Sequence, residues 1–385
     1  MQALDEIPRT LGMWVITRHR DAQAVLADRT FSSALIPQLV HRQADRLSQS
    51  NVDRIERLGE KSLVFTDNPD HARLRGMVNR VFSPNAIAAL RPRIAGAAEH
   101  LMTRAENQGG LDIIADYAAP LPITVMCDWM DLPESVRTQV GSWTHEVRYL
   151  LEPGLMSAAI FSRVCDVVES FTAALDDVLR HRRAHPGEDL ISCLIATETG
   201  GGDALTDEEI VFLCIMSFVA GNETTKSLIG NGVLALLNHP EQASQLHRDP
   251  SLAEAAVSEA LRYDSPLQMT KRLATRDVEL AGQHVKTGDQ VLLCLGAANR
   301  DPAVFDRPDQ FELDRTGARH LGFGYGMHGC LGGLLATAQA EIAFGALYRR
   351  TVRLEIGTEG LEWQQDSFIV RGLTRLPVRL GTVPA

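Results

Sequence analysis

The segment from Asp203 to His239 constrains the fold of this chain more than any other. Thr206 and Glu209 stand at the spacing of a capping box, in which each side chain satisfies a free backbone N–H of the other residue. A strongly apolar run follows to Leu237, and Pro240 ends it. A helix of about thirty residues with apolar side chains on nearly every face has to cross a core rather than lie on its surface. The rest of the chain must therefore supply the elements that pack around it.

Most of those elements read as helices. Ile87, Leu90, Ile94, Ala97 and Leu101 recur at helical spacing, with Pro84 near the start. Phe161 to about Arg183 reads as an amphipathic helix closed by His185-Pro186-Gly187. Ser251 and Glu254 suggest a second capping box, on a helix that ends near Tyr263, before Pro266. Strands are few. Trp14-Val15-Ile16 is one candidate. Val278–Leu280 and Gln290–Leu295, around Gly282 and Thr287-Gly288-Asp289, suggest an antiparallel unit, and Ser367–Val370 with Pro377–Leu380 suggest another. Residues 299–326 are irregular and rich in Pro, Asp, Arg and Gly, a length that usually signals function. No internal repeat or low-complexity linker interrupts the chain. The expectation is one mainly α domain over residues 1–385, β-richer near 10–20, 275–297 and 365–381.

With 45% hydrophobic and 23% charged residues among 385, wholesale disorder is excluded. No apolar run approaches the ~20 residues of a bilayer span. Met1 to Thr10 lacks the apolar centre of a signal peptide. A cytoplasmic protein without a membrane partner is expected, and the net charge of -11 disfavours nucleic acid. Cys127, Cys165, Cys193, Cys214, Cys294 and Cys330 form no CxxC pair, so neither a disulfide framework nor a zinc cluster is indicated. Five of them read as small buried hydrophobes.

Cys330 stands apart. It closes Phe323-Gly324-Tyr325-Gly326-Met327-His328-Gly329-Cys330-Leu331-Gly332, in which three glycines crowd the residues before it. Glycine lets backbone approach a flat ligand closely. Leu331, Leu334, Leu335, Ala338 and Ile342 then mark a helix, so the cysteine is expected at a helix N-terminus, where the dipole and free N–H groups favour a thiolate. Such a thiolate suits a soft axial ligand to haem iron. A buried structural cysteine in a tight turn is one alternative. A dinucleotide fingerprint is another, since Gly324, Gly326 and Gly329 satisfy GxGxxG, but no βαβ unit surrounds it.

The segment resembles the haem-binding loop of the cytochromes P-450, F-G-x-G-x-H-x-C-x-G, with every fixed position filled, Phe323, Gly324, Gly326, His328, Cys330 and Gly332 among them. Three further matches in the family's order extend the resemblance over essentially the whole chain. Glu259 and Arg262 match E-x-x-R, which in the family locks the irregular segment beneath the haem. Its third partner is usually an arginine in Pro-x-Arg-Phe; here Pro308-Asp309-Gln310-Phe311 departs from that pattern, leaving Arg300, Arg307 or a smaller network. Ala220-Gly221-Asn222-Glu223-Thr224-Thr225 resembles the family's oxygen-binding A-G-x-[DE]-T. A Gly and a back-bonding Thr there are expected to open the helical ladder. An acid beside an alcohol can relay protons, with Thr224 nearest the oxygen. His71 and Arg75 match H-x-x-x-R and, with Arg272 and His328, are implied as cations for the haem propionates.

The resemblance implies haem b with Cys330 as axial ligand, the cytochrome P-450 fold, and O2-dependent oxidation of a hydrophobic small molecule, a biosynthetic intermediate, most simply by hydroxylation. Electrons would come from a separate ferredoxin and ferredoxin reductase with NAD(P)H, with Arg73, Arg80, Arg91 and Arg93 as a basic docking face. By position, Met216, Val219 and Ala220, Leu267 to Met269, and Phe368 and Ile369 would line the substrate pocket. Residues 36–66 and 145–160 would form lids, with Pro153-Gly154 joining two lid helices. Oxidative coupling or ring closure, peroxide-driven oxidation, and a haem-based binding or sensing role are the other readings. The Glu223-Thr224 pair speaks against the last two.

Overall fold

A computed structural model of the chain describes residues 9–10, 12–50, 52–108, 111–197, 202–357 and 359–382. Residues 1–8 of the N-terminal segment read above lie outside them. The long helix spans Asp207–Asn238. Its capping box forms as the sequence predicts: Thr206 N donates to Glu209 Oε2 at 2.9 Å, and Glu209 N to Thr206 Oγ1 at 3.2 Å. Asp207, Glu208 and Glu209 in its first turn also complement the helix dipole.

The described residues cluster into two compact units. One comprises residues 32–86 and 123–222, the other residues 1–31, 87–122 and 223–385, so the long helix contributes to both. In the first unit, helix Glu134–Val147 packs on helix Ala158–Ala184, with Trp143 and Phe171 rings 5.1 Å apart. Helix Asp70–Val81 is fastened to the long helix by an ion pair between Arg73 and Glu209, the capping-box glutamate itself.

In the second unit, helix Ala253–Tyr263 packs on helix Gly333–Arg350. Both meet the far half of the long helix at Gly232, where an added Cβ would collide with the Phe344 ring and lie 3.3 Å from Ala260 Cβ. Tyr117 Oη donates to Ala343 O at 3.0 Å from the other side. Phe344 is fully buried, and truncating such a side chain costs about 3–5 kcal/mol.

A mixed sheet completes this unit. Met13–Ile16 pairs in parallel with Gln290–Cys294, which pairs antiparallel with Met269–Ala274. Ile16, Val25, Leu26, Phe31, Val291, Leu293 and Leu321 form its core. Leu321 matters most, because it leads directly into the cysteine loop.

The strand pairings differ from those expected. Val278–Leu280 pairs with Gln283–Val285 rather than with Gln290–Cys294. Ala281 and Gly282 both take positive φ, 49° and 79°, which is the two-residue hairpin turn that matches strand twist. Pro377–Thr382 pairs with Thr351–Ile356 and Leu111–Asp112, not with residues 367–370. Ser251 and Glu254 form no capping box. Asp249 instead accepts from Ser251 N and caps the short turn Pro250–Leu252, and the helix begins at Ala253. Among the described residues, no helix is long and apolar enough to cross a membrane.

Candidate functional site

The cysteine loop is held by its own backbone. Gly324 N donates to Leu321 O at 2.8 Å, Gly329 N to Gly326 O at 3.0 Å, and Cys330 N to Phe323 O at 2.8 Å. Gly326 takes φ +69°, and a Cβ there would stand 2.6 Å from Leu26 O and 3.1 Å from Ala27 Cα. Both constraints require glycine: the left-handed conformation, and a loop pressed onto the end of helix His19–Ala27. Cys330 is exposed at the end of this frame, and Leu334, four residues on, is 51% exposed despite being apolar. The cysteine does not sit at the helix start itself. Gly332 caps the helix, which begins at Gly333.

Of the five cysteines expected to be buried, Cys127, Cys214 and Cys294 are, whereas Cys165 is half-buried and Cys193 exposed. Loss of solvation pushes the thiols of Cys165, Cys193 and Cys294 upward, that of Cys127 to about 11 and that of Cys214 to about 12. Those five are held as thiols and are poor ligands.

The loop's entry is tied to the E-x-x-R pair through Asn299. Asn299 Oδ1 accepts from Leu321 N at 2.6 Å, and its Nδ2 donates to Ser265 Oγ at 2.7 Å. Arg262 makes a bidentate pair with Glu259 (2.8 and 2.7 Å). It also donates to the carbonyls of Asn299, Pro308 and Gln310. The third partner is Arg315, which was not anticipated. Its Nε lies 3.0 and 3.2 Å from the two Glu259 oxygens, and Glu312 N adds a bond of 3.0 Å. Arg300 and Arg307 are engaged elsewhere, Arg300 with Tyr263 O and Asp309, Arg307 with Glu312 and Asp306. Gln310 takes part through its carbonyl alone. The missed signal was an arginine four residues past Phe311, within reach because the irregular segment turns back on itself at Arg307, φ 42°.

On the long helix, every residue from Glu209 to Leu236 is buried except Ser217, Ala220, Gly221, Thr224 and Lys226. The first four stand at i, i+3, i+4 and i+7 and make one accessible stripe. The helix is continuous through it, without the opened ladder that Gly221 and Thr224 suggested. Glu223 is buried beside the stripe, and Lys226 Nζ meets its Oε2 at 2.7 Å. Met216 and Val219 are 4% and 1% exposed and lie off the stripe, whereas Ser217 and Gly221 lie on it.

Arg272 is buried on its strand and donates to Thr270 Oγ1 and Lys271 O. His328 sits in the turn Gly326–His328. In the other unit, His71 and Arg75 share a face of helix Asp70–Val81. Arg75 Nε donates to Asn79 Oδ1, and burial, then Arg75's charge, lowers the His71 imidazole from its ordinary value. Leu267 bridges Val370. Met269 and Phe368, the latter 69% exposed, line a pocket of about 220 Å³ with Gln268, Cys294, Trp363 and Arg371. Ile369 is partly buried beside them. Two of the four cations of the expected docking face are committed internally, Arg73 to Glu209 and Asp203, and Arg91 to Glu341.

Residues 155–356, just over half the chain, match the family model described as Cytochrome P450. The chain belongs to the cytochrome P450 family. It is 34% identical over 367 residues to the biotin biosynthesis cytochrome P450 of Bacillus subtilis (strain 168), covering 95% of this chain and 89% of that one. It is also 34% identical over 376 residues to the polyketide biosynthesis cytochrome P450 PksS of the same organism, covering 97% and 90%. The crystal structure of P450BioI in complex with acyl carrier protein ligated to hexadec-9Z-enoic acid superposes with a TM-score of 0.86. That match has 33% identity and covers 98% of this chain and 94% of that one.

The mainly helical fold with a small sheet part is the P450 fold, and the chain is an oxidoreductase of a monooxygenase family whose members use haem. The residues of this P450 fit that group. Its loop offers an exposed sulfur on a rigid frame, an exposed leucine one helical turn later offers apolar surface, and the stripe on the long helix leaves Thr224 accessible.

Proposed function

We propose that this P450 acts as one catalytic domain over residues 1–385 and hydroxylates a hydrophobic small molecule, a biosynthetic intermediate, using haem b. Its electrons come from a separate ferredoxin and ferredoxin reductase supplied by NAD(P)H. Cys330 would hold the iron as a thiolate. Phe323, Gly324, Gly326 and Gly332 would shape the surface beneath the ring, and His71, Arg75, Arg272 and His328 would meet its propionates. Haem, when bound, supplies the reductive activation of O2 that puts one oxygen atom into a C–H bond and releases the other as water.

The observation that carries this reading is the pairing of a buried acid with an accessible alcohol. Lys226 fixes the Glu223 carboxylate one residue before Thr224, whose side chain lies on the stripe shared with Ala220. A proton can pass between the carboxyl and Thr224 Oγ1 while the buried residues around them exclude bulk water. A binding or sensing protein has no use for that relay. Leu267, Met269, Phe368 and Ile369 would supply apolar walls, with Met216 and Val219 packed behind the stripe. Residues 36–66 and 145–160 would act as lids, already joined by Gln43 Nε2 donating to Met156 O at 2.6 Å.

The test begins with titrations of the haem absorption band against a library of hydrophobic compounds. Because P450BioI binds an acyl carrier protein, the library includes free fatty acids and their carrier-protein thioesters. Each hit is then incubated with ferredoxin, ferredoxin reductase and NADPH under 18O2. A product carrying one 18O atom supports the proposal. NADPH consumption without an oxygenated product from any hit overturns it.

A further inference from the structure

The walls assigned to the substrate come from segments far apart in sequence, yet they form one ribbon. Gln268 N donates to Ile369 O at 2.7 Å, Arg371 N donates to Pro266 O at 2.8 Å, and Leu267 bridges Val370. Leu267 and Ile369 therefore move together. The ribbon also carries an ion pair, Arg371 Nε to Asp264 Oδ1 at 2.9 Å. Burial, against the pull of Arg371, raises the Asp264 carboxyl above its ordinary value.

The ribbon is fixed to the long helix at two points. Asn231, 2% exposed, donates both hydrogens of its amide, to Asp264 O at 3.1 Å and to Arg371 O at 3.1 Å. Two carbonyl partners settle which end of the amide faces them, since an oxygen there would meet only acceptors. One side chain thus joins both edges of the ribbon. One turn earlier, Gly372 lies directly on Ser227. A Cβ at Gly372 would collide with Ser227 Oγ and stand 2.8 Å from Ser227 Cβ. Thr224, Ser227 and Asn231 are at i, i+3 and i+7, on one face of the helix. Asn231 is two turns from Thr224, a rise of roughly 10 Å.

We infer that Asn231, with the Ser227–Gly372 contact, is a specificity-determining positioning device: it pins the ribbon of residues 264–268 and 369–372 to the helix face that carries Thr224, and so sets how far the substrate walls stand from the oxygen site. The inference rests on the reading of Leu267 and Ile369 as substrate walls. Neither Asn231 nor Gly372 touches the substrate in this arrangement. Replacing Asn231 removes the donor that holds each of these two carbonyls and frees the ribbon to shift. Widening Gly372 pushes the ribbon outward with the amide intact.

The experiment uses purified holoenzyme and two nitrogen ligands of haem iron, imidazole and 4-phenylimidazole, titrated by the absorption band. Imidazole is too small to reach the walls, and the phenyl group reports them. In Asn231→Leu and Gly372→Ala, the Kd for 4-phenylimidazole should change by about fivefold or more while that for imidazole stays within about twofold. Asn231→Gln, which keeps both donors, should recover part of the wild-type ratio. An unchanged ratio in both variants, or parallel changes for both azoles, overturns the inference. Leu267→Ala and Ile369→Ala separate it from the reading beneath. If they leave 4-phenylimidazole binding untouched, the wall assignment fails and the inference falls with it. If they alter that binding while Asn231→Leu and Gly372→Ala do not, the inference alone fails.

Discussion

Arg315 Nε donates to both carboxylate oxygens of Glu259, at 3.0 and 3.2 Å, and closes a network that Arg262 opens from the following turn of the same helix as Glu259. Glu259 is 4% exposed, so its charge depends on these donors. Arg315→Leu should destabilise the fold by about 2 kcal/mol, the scale of a lost hydrogen bond to a buried charge. Arg307→Leu, which removes mainly exposed pairs, should cost less than about 1 kcal/mol. Thermal unfolding of the two variants against wild type checks the ordering. The same measurement on Arg300→Leu tests whether its stacking on Tyr263, 4.0 Å from the ring centre, substitutes for a role in the network.

Arg315 also shows where sequence reading stops. Thr206 with Glu209, the glycine-cysteine loop and Glu259 with Arg262 were legible because each is closed by residues within one turn or one loop of one another. Arg315 reaches Glu259 across fifty-six positions, through a turn set at Arg307 that no local pattern announces. The strand partners failed for the same reason. Pro377–Thr382 finds Thr351–Ile356 through a register that alternating apolar residues do not specify uniquely. Ser251 and Glu254 had the right spacing, but Pro250 and Asp249 offered a competing local cap. Met216 and Val219 lie close to the stripe in sequence, and only the exposure of Ser217, Ala220, Gly221 and Thr224 reveals which face of an all-apolar helix is open.

His320, one residue before Leu321, whose carbonyl accepts the first bond of the cysteine loop, makes that region acid-sensitive. Gly322 N donates to its Nδ1 at 3.1 Å. Burial first, then the charges of Arg319, Arg262 and His19, push the imidazolium down to about 4 from 6.5. The folded state therefore favours the neutral ring. Its stabilisation is complete above pH 6.5 and is lost as pH falls from there towards 4, at most about 3 kcal/mol for a ring with some residual exposure. His320→Asn keeps an acceptor for Gly322 N but does not titrate. Unfolding midpoints and haem retention measured between those pH values should fall less steeply in the variant. Equal slopes would assign the acid sensitivity to other groups.

The proton relay separates into two variants with different signatures. Thr224→Ala removes the accessible hydroxyl and leaves Glu223 and Lys226 paired, so haem content and substrate affinity should persist. Product formed per NAD(P)H should fall as electrons divert to peroxide or water. Glu223→Gln removes the carboxyl itself, and turnover should drop by about a hundredfold, the lower range for loss of general acid catalysis. Peroxide yield and product yield measured together distinguish the two. Undiminished coupling in Thr224→Ala would refute the relay.

Cys330 and Gly326 divide the loop into chemistry and frame. The backbone N–H of Cys330 donates to Phe323 O at 2.8 Å, a bond of the frame that survives any side-chain change. Cys330→Ser should therefore leave the melting temperature of the haem-free protein near wild type, while the red-shifted band of the reduced carbon-monoxide complex disappears with the thiolate. Gly326→Ala does the reverse. It keeps the sulfur but places a methyl 2.6 Å from Leu26 O in a left-handed conformation, which costs about 1–2 kcal/mol before the collision is counted. The loop must lift from the end of helix His19–Ala27, carrying Cys330 with it. The haem-free Gly326→Ala protein should melt below wild type, and its reconstituted form should lose haem faster to an apoglobin acceptor. If Gly326→Ala retained haem as wild type does, the frame would not be what positions the sulfur.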